Sequence, residues 1–255
     1  MDKAIIRIEN IALSNIKNVA DGSISLNEVS EDTFGASIVG IYGQNGSGKT
    51  ALIWAVELIK DAISGASLPA DTFFYIRQQS QTATIKVELL MNFGDRDYHV
   101  FYTLTIGKKE NEKVQILSES IDFSAKAQNG LARINKTRIL GIEYPNDSND
   151  IDECFYVPES RIVEMASKDK QVRQKLLVLQ ALANEKTTSF IFNDKMMNLL
   201  DSSFASPIYF RILETMLFYG RMNLFVLNKN SESSFNMNLL PLSMRLSSKD
   251  SITKC

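Results

Sequence analysis

Cysteine and histidine are nearly missing from this sequence. Only Cys154, Cys255 and the lone His99 stand among 255 residues. Two cysteines so far apart form neither a disulfide framework nor a metal-ligand spacing, and they suit a reducing cytosol. Long apolar runs are also missing. No stretch of eighteen apolar residues exists, so no membrane span is expected. The opening MDKAIIRIEN carries acidic residues and no long apolar core, which excludes a signal peptide. Neither sign of charge dominates: the net charge of −2 gives no global reason to expect a nucleic-acid or anionic-membrane surface. There is no internal repeat and no low-complexity tract.

What is present is ordinary for a globular protein, with 44% hydrophobic and 23% charged residues. The length allows one large domain or two small ones. One stretch is not ordinary. Gly43-Gln44-Asn45-Gly46-Ser47-Gly48-Lys49-Thr50 fits the phosphate-loop pattern G-x-x-x-x-G-K-[ST] at every fixed position. Glycines let the backbone turn tightly and present several N–H groups to one phosphate, while the following helix aims its positive end at the same anion. In this pattern Lys49 reaches the β- and γ-phosphates of ATP and the Thr50 hydroxyl binds Mg²⁺. The flanks suit it. Ser37 to Tyr42 is a short apolar run that reads as a buried parallel strand. Leu52, Val56, Ile59 and Ile63 recur at helical spacing, and Gly65 sits where a C-terminal cap belongs.

Taken in order, Ala4–Ile8 and Ser23–Leu26 read as two short strands. The turn residues lie at Asp21-Gly22, and the pair is expected to form an edge hairpin beside the phosphate-loop strand. From Thr72 to about Tyr144 the pattern becomes an antiparallel meander. Thr82–Phe93 and Asp97–Gly107 alternate around a Gly94-Asp95-Arg96 turn, followed by strand-like Glu112–Ser124 and Gly130–Ile134. One face of this sheet is expected to be polar, and the sheet is expected to be separate from the parallel nucleotide sheet. Cys154–Pro158 reads as a short strand. Helices are expected after Ser160, through Val172–Leu182, and from Pro207 to Gly220, and Met222–Leu227 reads as a strand. The aromatic and Met residues between Phe190 and Phe225 read as core. His99 reads as a plain strand residue, and Lys168, Lys170, Arg173 and Lys175 as a solvated helix face.

With SNIKN at Ser14–Asn18 and IVGIYGQNGSGKTALIWAVELI, the first sixty-five residues resemble ABC-type ATPases of the SMC/RecF/OLD group. The nearest likeness is to single-chain AAA-family ATPases of bacterial anti-phage and abortive-infection systems. The resemblance implies an α/β P-loop NTPase core with an antiparallel β-meander insertion and a helical subdomain. These correspond to residues 1–70, 71–150 and 151–255 of one ATPase domain. It implies ATP and Mg²⁺ as cofactors and a cytoplasmic location. It also implies a homodimer or larger oligomer, coupled to an effector protein such as a nuclease or toxin, or to DNA, with no membrane. It places the segment near Asn15–Asn18 close to the nucleotide base.

The sequence departs from that group in its hydrolytic motifs. An apolar strand ending in Asp-Glu is missing: Asp152-Glu153, the one such pair, follows polar residues, and MNLFVL ends in Asn228-Lys229. Ile63-Ser64-Gly65 and Leu246-Ser247-Ser248 are poor stand-ins for the serine-glycine signature. Gln78, Gln79 and Gln81 are candidates for a metal-contacting glutamine, a role the sequence leaves open. The catalytic residues are therefore unassigned, and the chain reads as the N-terminal portion of a longer or split ATPase. Two alternatives stay open: a non-hydrolysing nucleotide module of a defence complex, and a P-loop kinase, against which the long meander argues.

Overall fold

The computed structural model describes residues 5–26, 40–94, 96–126, 133–143, 155–156, 186–203 and 207–224. All of them fall within one compact unit, Met1–Leu224. Seven antiparallel strands form one sheet in the order β2-β1-β3-β4-β5-β6-β7. They are β1 (Ile5–Ile16), β2 (Val19–Ser25), β3 (Thr82–Asn92), β4 (Asp97–Lys109), β5 (Lys113–Ala125), β6 (Ile134–Glu143) and β7 (Phe155–Tyr156).

The alternation in β3 to β5 sets the two faces. Ile85, Val87, Leu89, Val100, Tyr102, Leu104, Ile121 and Phe123 point inward and are buried. The intervening positions, among them Lys86, Glu88, His99, Ser120 and Asp122, form a polar outer face, as period-two patterning requires. The meander expected from the sequence is thus present, with its first turn between Asn92 and Asp97; Asp95 lies outside the described residues.

Three helices cover the inner face: α1 (Lys49–Ser64), α2 (Asp194–Ser203) and α3 (Pro207–Phe218). The side of α1 fully buried in the common core is Ala51, Ala55, Leu58, Ile59, Ala62 and Ile63. That face is turned from the expected one, since Leu52 and Val56 lie at its margin. Three alanines let the helix approach the sheet closely, which large-residue periodicity alone does not reveal. Gly65 ends α1 with φ 75°, and its N–H and that of Ala66 bond to the carbonyls of Ala62 and Asp61 at 3.1 and 2.9 Å. Asn193 caps α2, its Oδ1 accepting the Met196 N–H at 2.9 Å.

Several expectations are corrected. The N-terminal strands are longer than read and turn at Lys17-Asn18, not Asp21-Gly22, which lies inside β2. Lys17 adopts φ 51° and Asn15 φ 57°, so two non-glycine residues take left-handed conformations that composition does not announce. The hairpin does not flank a phosphate-loop strand. β1 pairs with β3 from Ile5↔Asn92 to Ser14↔Thr84, so hairpin and meander are one sheet. Gly40, Ile41 and Tyr42 are not in a strand and are exposed, Tyr42 to 92%, because the described strands pair among themselves and none runs beside this segment. Met222 and Asn223 belong to a π-helical turn, Tyr219–Asn223, not a strand. Gly220 brings this turn onto α1, where a Cβ would stand 2.6 Å from Ile63 Cγ1. The helices expected between Ser160 and Leu182, the basic run Lys168–Lys175, Asp152-Glu153 and Leu246-Ser247-Ser248 lie outside the described residues.

Candidate functional site

Gly43 to Ser47 form an exposed loop, with Asn45-Gly46 in its turn, and Gly48 caps α1. Gly46 and Gly48 have φ of 87° and 93°, the left-handed region where glycine alone is unstrained. Gly48 is also confined by space, since a Cβ there would stand 2.8 Å from Val19 Cγ2 of the hairpin. The start of α1 has no side-chain cap and no acidic residue in its first turn. Its first N–H groups and the positive end of its dipole are therefore open to an anion.

The Lys49 ammonium folds back over the loop. It donates to the carbonyls of Gly43 and Gln44 at 2.6 and 2.7 Å and lies 3.3 Å from Ser47 Oγ. Both carbonyls belong to the loop itself, so the ammonium is held over the loop by its own backbone. The hairpin reaches the same loop: Asn18, in the β1–β2 turn, donates from Nδ2 to the Gly46 carbonyl.

Two cavities flank the loop. One, of about 310 Å³, is lined by Ser47, Gly48, Lys49 and Leu52 against Val19, Ile41 and Tyr42. The other, of about 690 Å³, brings Thr50 together with Lys17, Asn18, Trp54, Phe74 and Gln78. Lys49 thus lines the first cavity and Thr50 the second. Of the three glutamines considered, Gln78 lines the Thr50 cavity, Gln79 is exposed, and Gln81 gives its carbonyl to the Lys108 N–H at 2.9 Å.

The larger cavity has a built aromatic wall that sequence reading missed. Trp54 and Tyr75 stack in parallel with centroids 4.6 Å apart, and Lys17 Nζ lies 3.7 Å above the Trp54 ring. Partial burial there pulls the Lys17 pKa below its ordinary value, opposed by nearby Asp71. Burial, then the hydrogen bond to Asp71 Oδ2 at 2.9 Å, raises that of Tyr75. The Lys17 N–H also bonds to the Tyr75 carbonyl at 2.7 Å, which ties the hairpin turn to this wall. Trp54 lies four residues past Thr50, one helical turn, and that spacing was the available signal. The partners Lys17 and Tyr75 had no local signal. Among the described residues, neither cavity is lined by Asp or Glu.

A glycine loop at a helix N-terminus, with lysine and threonine at its end and a helix-covered sheet behind it, defines a P-loop nucleotide-binding protein. A sequence model of the AAA domain family matches residues 10–217, and the chain belongs to that family. No curated protein matches it. It is an AAA-type P-loop domain with nucleotide-binding, ATPase-like function, a class that generally binds ATP with Mg²⁺ and often oligomerises. Among the described residues no helix is long and apolar enough to cross a membrane.

Proposed function

We propose that the chain binds Mg-ATP through Gly43–Thr50 and uses the nucleotide to control its own dimerisation or larger assembly in the cytoplasm. An effector protein, a nuclease or toxin, or DNA reads that state, in the manner of SMC/RecF/OLD-like ATPases of anti-phage defence or DNA maintenance. The observation that carries the reading is the Asn18–Gly46 contact, which seats the N-terminal hairpin on the phosphate loop. Nucleotide at the loop then meets the hairpin, and a change in one is felt by the other. Lys49 would exchange the Gly43 and Gln44 carbonyls for phosphate oxygens, stronger acceptors for an ammonium. Thr50 would hold Mg²⁺, with Gln78 a side-chain amide lining the same cavity.

A second reading, a module that binds ATP without hydrolysing it, is favoured by the acid-free lining of both cavities. Kinase action is the third, and a phosphorylated small molecule is its required product. Titration calorimetry of ATP into wild type and Lys49→Ala tests the core of the proposal. Hydrogen bonds to a charged group contribute about 1.5–3 kcal/mol each, so Lys49→Ala should weaken binding by about tenfold to a hundredfold or more. Equal affinities remove the site from Gly43–Thr50.

A further inference from the structure

Three side chains converge on the outer face of the sheet, away from both cavities. Glu9 comes from β1, Glu88 from β3 and His99 from β4. Their convergence originates in β1, where the pairing with β3 slips between Ile8 and Asn10. Glu9 is the extra residue of that bulge, and bulges re-aim a side chain out of the regular alternation. It is 4% exposed, on a face whose other carboxylates are wetter.

His99 Nδ1 lies 3.0 Å from Glu9 Oε2 and 3.2 Å from Glu88 Oε1. One donor atom from each residue lies within 4.8 Å of the others. The contact of Nδ1 with Glu88 has hydrogen-bond geometry, and in the tautomer that carries its proton on Nε2 the Nδ1 lone pair faces both carboxylates. Glu9 Oε2 is left as a buried carboxylate oxygen with no hydrogen bond, and Nε2 on the far side of the ring is buried in the same condition. Arg7 Nη2 stands 3.6 Å from the other Glu9 oxygen, and its side chain is partly exposed. A buried carboxylate oxygen without a hydrogen bond, beside a second carboxylate and an imidazole lone pair, is a costly arrangement that Arg7 at 3.6 Å offsets only from the other oxygen. It is a good one for a cation. Two ligands held at about 2.0–2.1 Å from a tetrahedral Zn²⁺ stand about 3.3 Å apart, close to the two separations observed.

We propose that Glu9, Glu88 and His99 form a site for a first-row divalent cation, with Zn²⁺ the preferred ion. His99 Nδ1 and one oxygen of each carboxylate are the ligands. Imidazole with carboxylates suits Zn²⁺ and its neighbours, whereas Mg²⁺ favours all-oxygen sets. The ion joins three adjacent strands and so fixes the N-terminal hairpin to the meander.

The chain's single histidine makes the test direct. The ¹⁵N-labelled chain, prepared without a histidine tag and stripped with chelator, is titrated with Zn²⁺ alone, free of nucleotide and Mg²⁺. The imidazole Nδ1 resonance should shift and saturate at one equivalent, and calorimetry should give one ion per chain. His99→Ala and Glu9→Gln should each weaken Zn²⁺ binding by about tenfold or more. Asp122→Asn, a carboxylate of the same face paired with Arg138 at 2.8 Å, should leave it unchanged. An imidazole that ignores Zn²⁺ in the wild type overturns the site, whatever the variants do. So does Zn²⁺ binding that survives both substitutions.

Discussion

Glu119 is fully buried on the inner face of β5 and receives four donors. Tyr102 Oη and Ser189 Oγ donate to Oε1 at 2.7 and 2.6 Å, and the N–H groups of Phe190 and Ile191 reach Oε2 at 3.1 and 3.4 Å. The network pins residues 189–191 to the sheet, and the adjoining Phe192 carbonyl presses against Gly65 at the end of the phosphate-loop helix. In Glu119→Gln the amide oxygen keeps the two backbone donors. The new NH₂ faces the two hydroxyls, which rotate to accept and leave their own hydrogens without partners. At about 1–3 kcal/mol for an orphaned buried donor, offset by the removed cost of a buried charge, the net loss is about 1–3 kcal/mol. Glu119→Ala orphans all four donors and opens a cavity, and should cost about 4 kcal/mol or more.

Burial raises the Glu119 pKa above its ordinary value near 4.5, and the four hydrogen bonds oppose that without cancelling it. A carboxyl with a raised folded-state pKa binds its proton more tightly when folded. Its contribution to stability is complete below the unfolded-state value and falls as pH rises through the folded-state value. Glutamine does not titrate. The advantage of wild type over Glu119→Gln should therefore narrow as pH rises above the ordinary carboxyl value near 4.5, measured by urea denaturation at each pH. An advantage that widens with pH would show that the donors outweigh burial and refute the reasoning.

Three further outcomes are expected. Trp54 is the chain's single tryptophan and lines the Thr50 cavity, so Mg-ATP should change its fluorescence, and Lys49→Ala should abolish the change at the same nucleotide concentration. Gly65→Ala places a Cβ against the Phe192 carbonyl at φ 75° and should cost about 1–3 kcal/mol, lowering Tm by about 3–10 °C in a calorimetric scan. The purified chain should bind ATP with negligible steady-state turnover, because among the described residues no acid lines either cavity to position a water; robust phosphate release that Lys49→Ala eliminates would show a catalytic acid brought in from elsewhere in the chain.

The meander was legible because β3 to β5 alternate cleanly and one face is buried, so period-two patterning is the dominant physical signal. The phosphate loop was legible because its glycines are required at fixed offsets. The π-turn was not, since Met222-Asn223-Leu224 is as apolar as a strand; what holds it is tertiary. Leu224 N–H bonds to the Tyr219 carbonyl at 2.9 Å, and Arg221 donates to the Ser64 carbonyl at 3.0 Å and pairs with Asp194 at 2.7 Å. Arg221 thereby supplies a cation at the C-terminal end of α1, where the helix dipole favours one. A strand reading of the same residues leaves that helix end without it.

The hairpin shows why the site itself was only half legible. Asp21-Gly22 is the strongest turn dipeptide in the segment, yet it lies within β2, opposite Ser14 and Leu13. A turn there would shorten β2 and carry Asn18 away from the loop. Turning at Lys17-Asn18 forces Lys17 to φ 51°, a strained choice for a long side chain. The strain is offset locally: the Lys17 N–H bonds to Tyr75, Arg77 N–H bonds to the Asn15 carbonyl at 2.8 Å, and the Lys17 ammonium stacks on Trp54. Trp54, Tyr75 and Arg77 follow Lys17 by 37, 58 and 60 residues and reach the turn only through the fold. The conformation that places Asn18 on Gly46 is thus held by the wall beyond the phosphate loop, and direct contacts join loop, hairpin and aromatic wall.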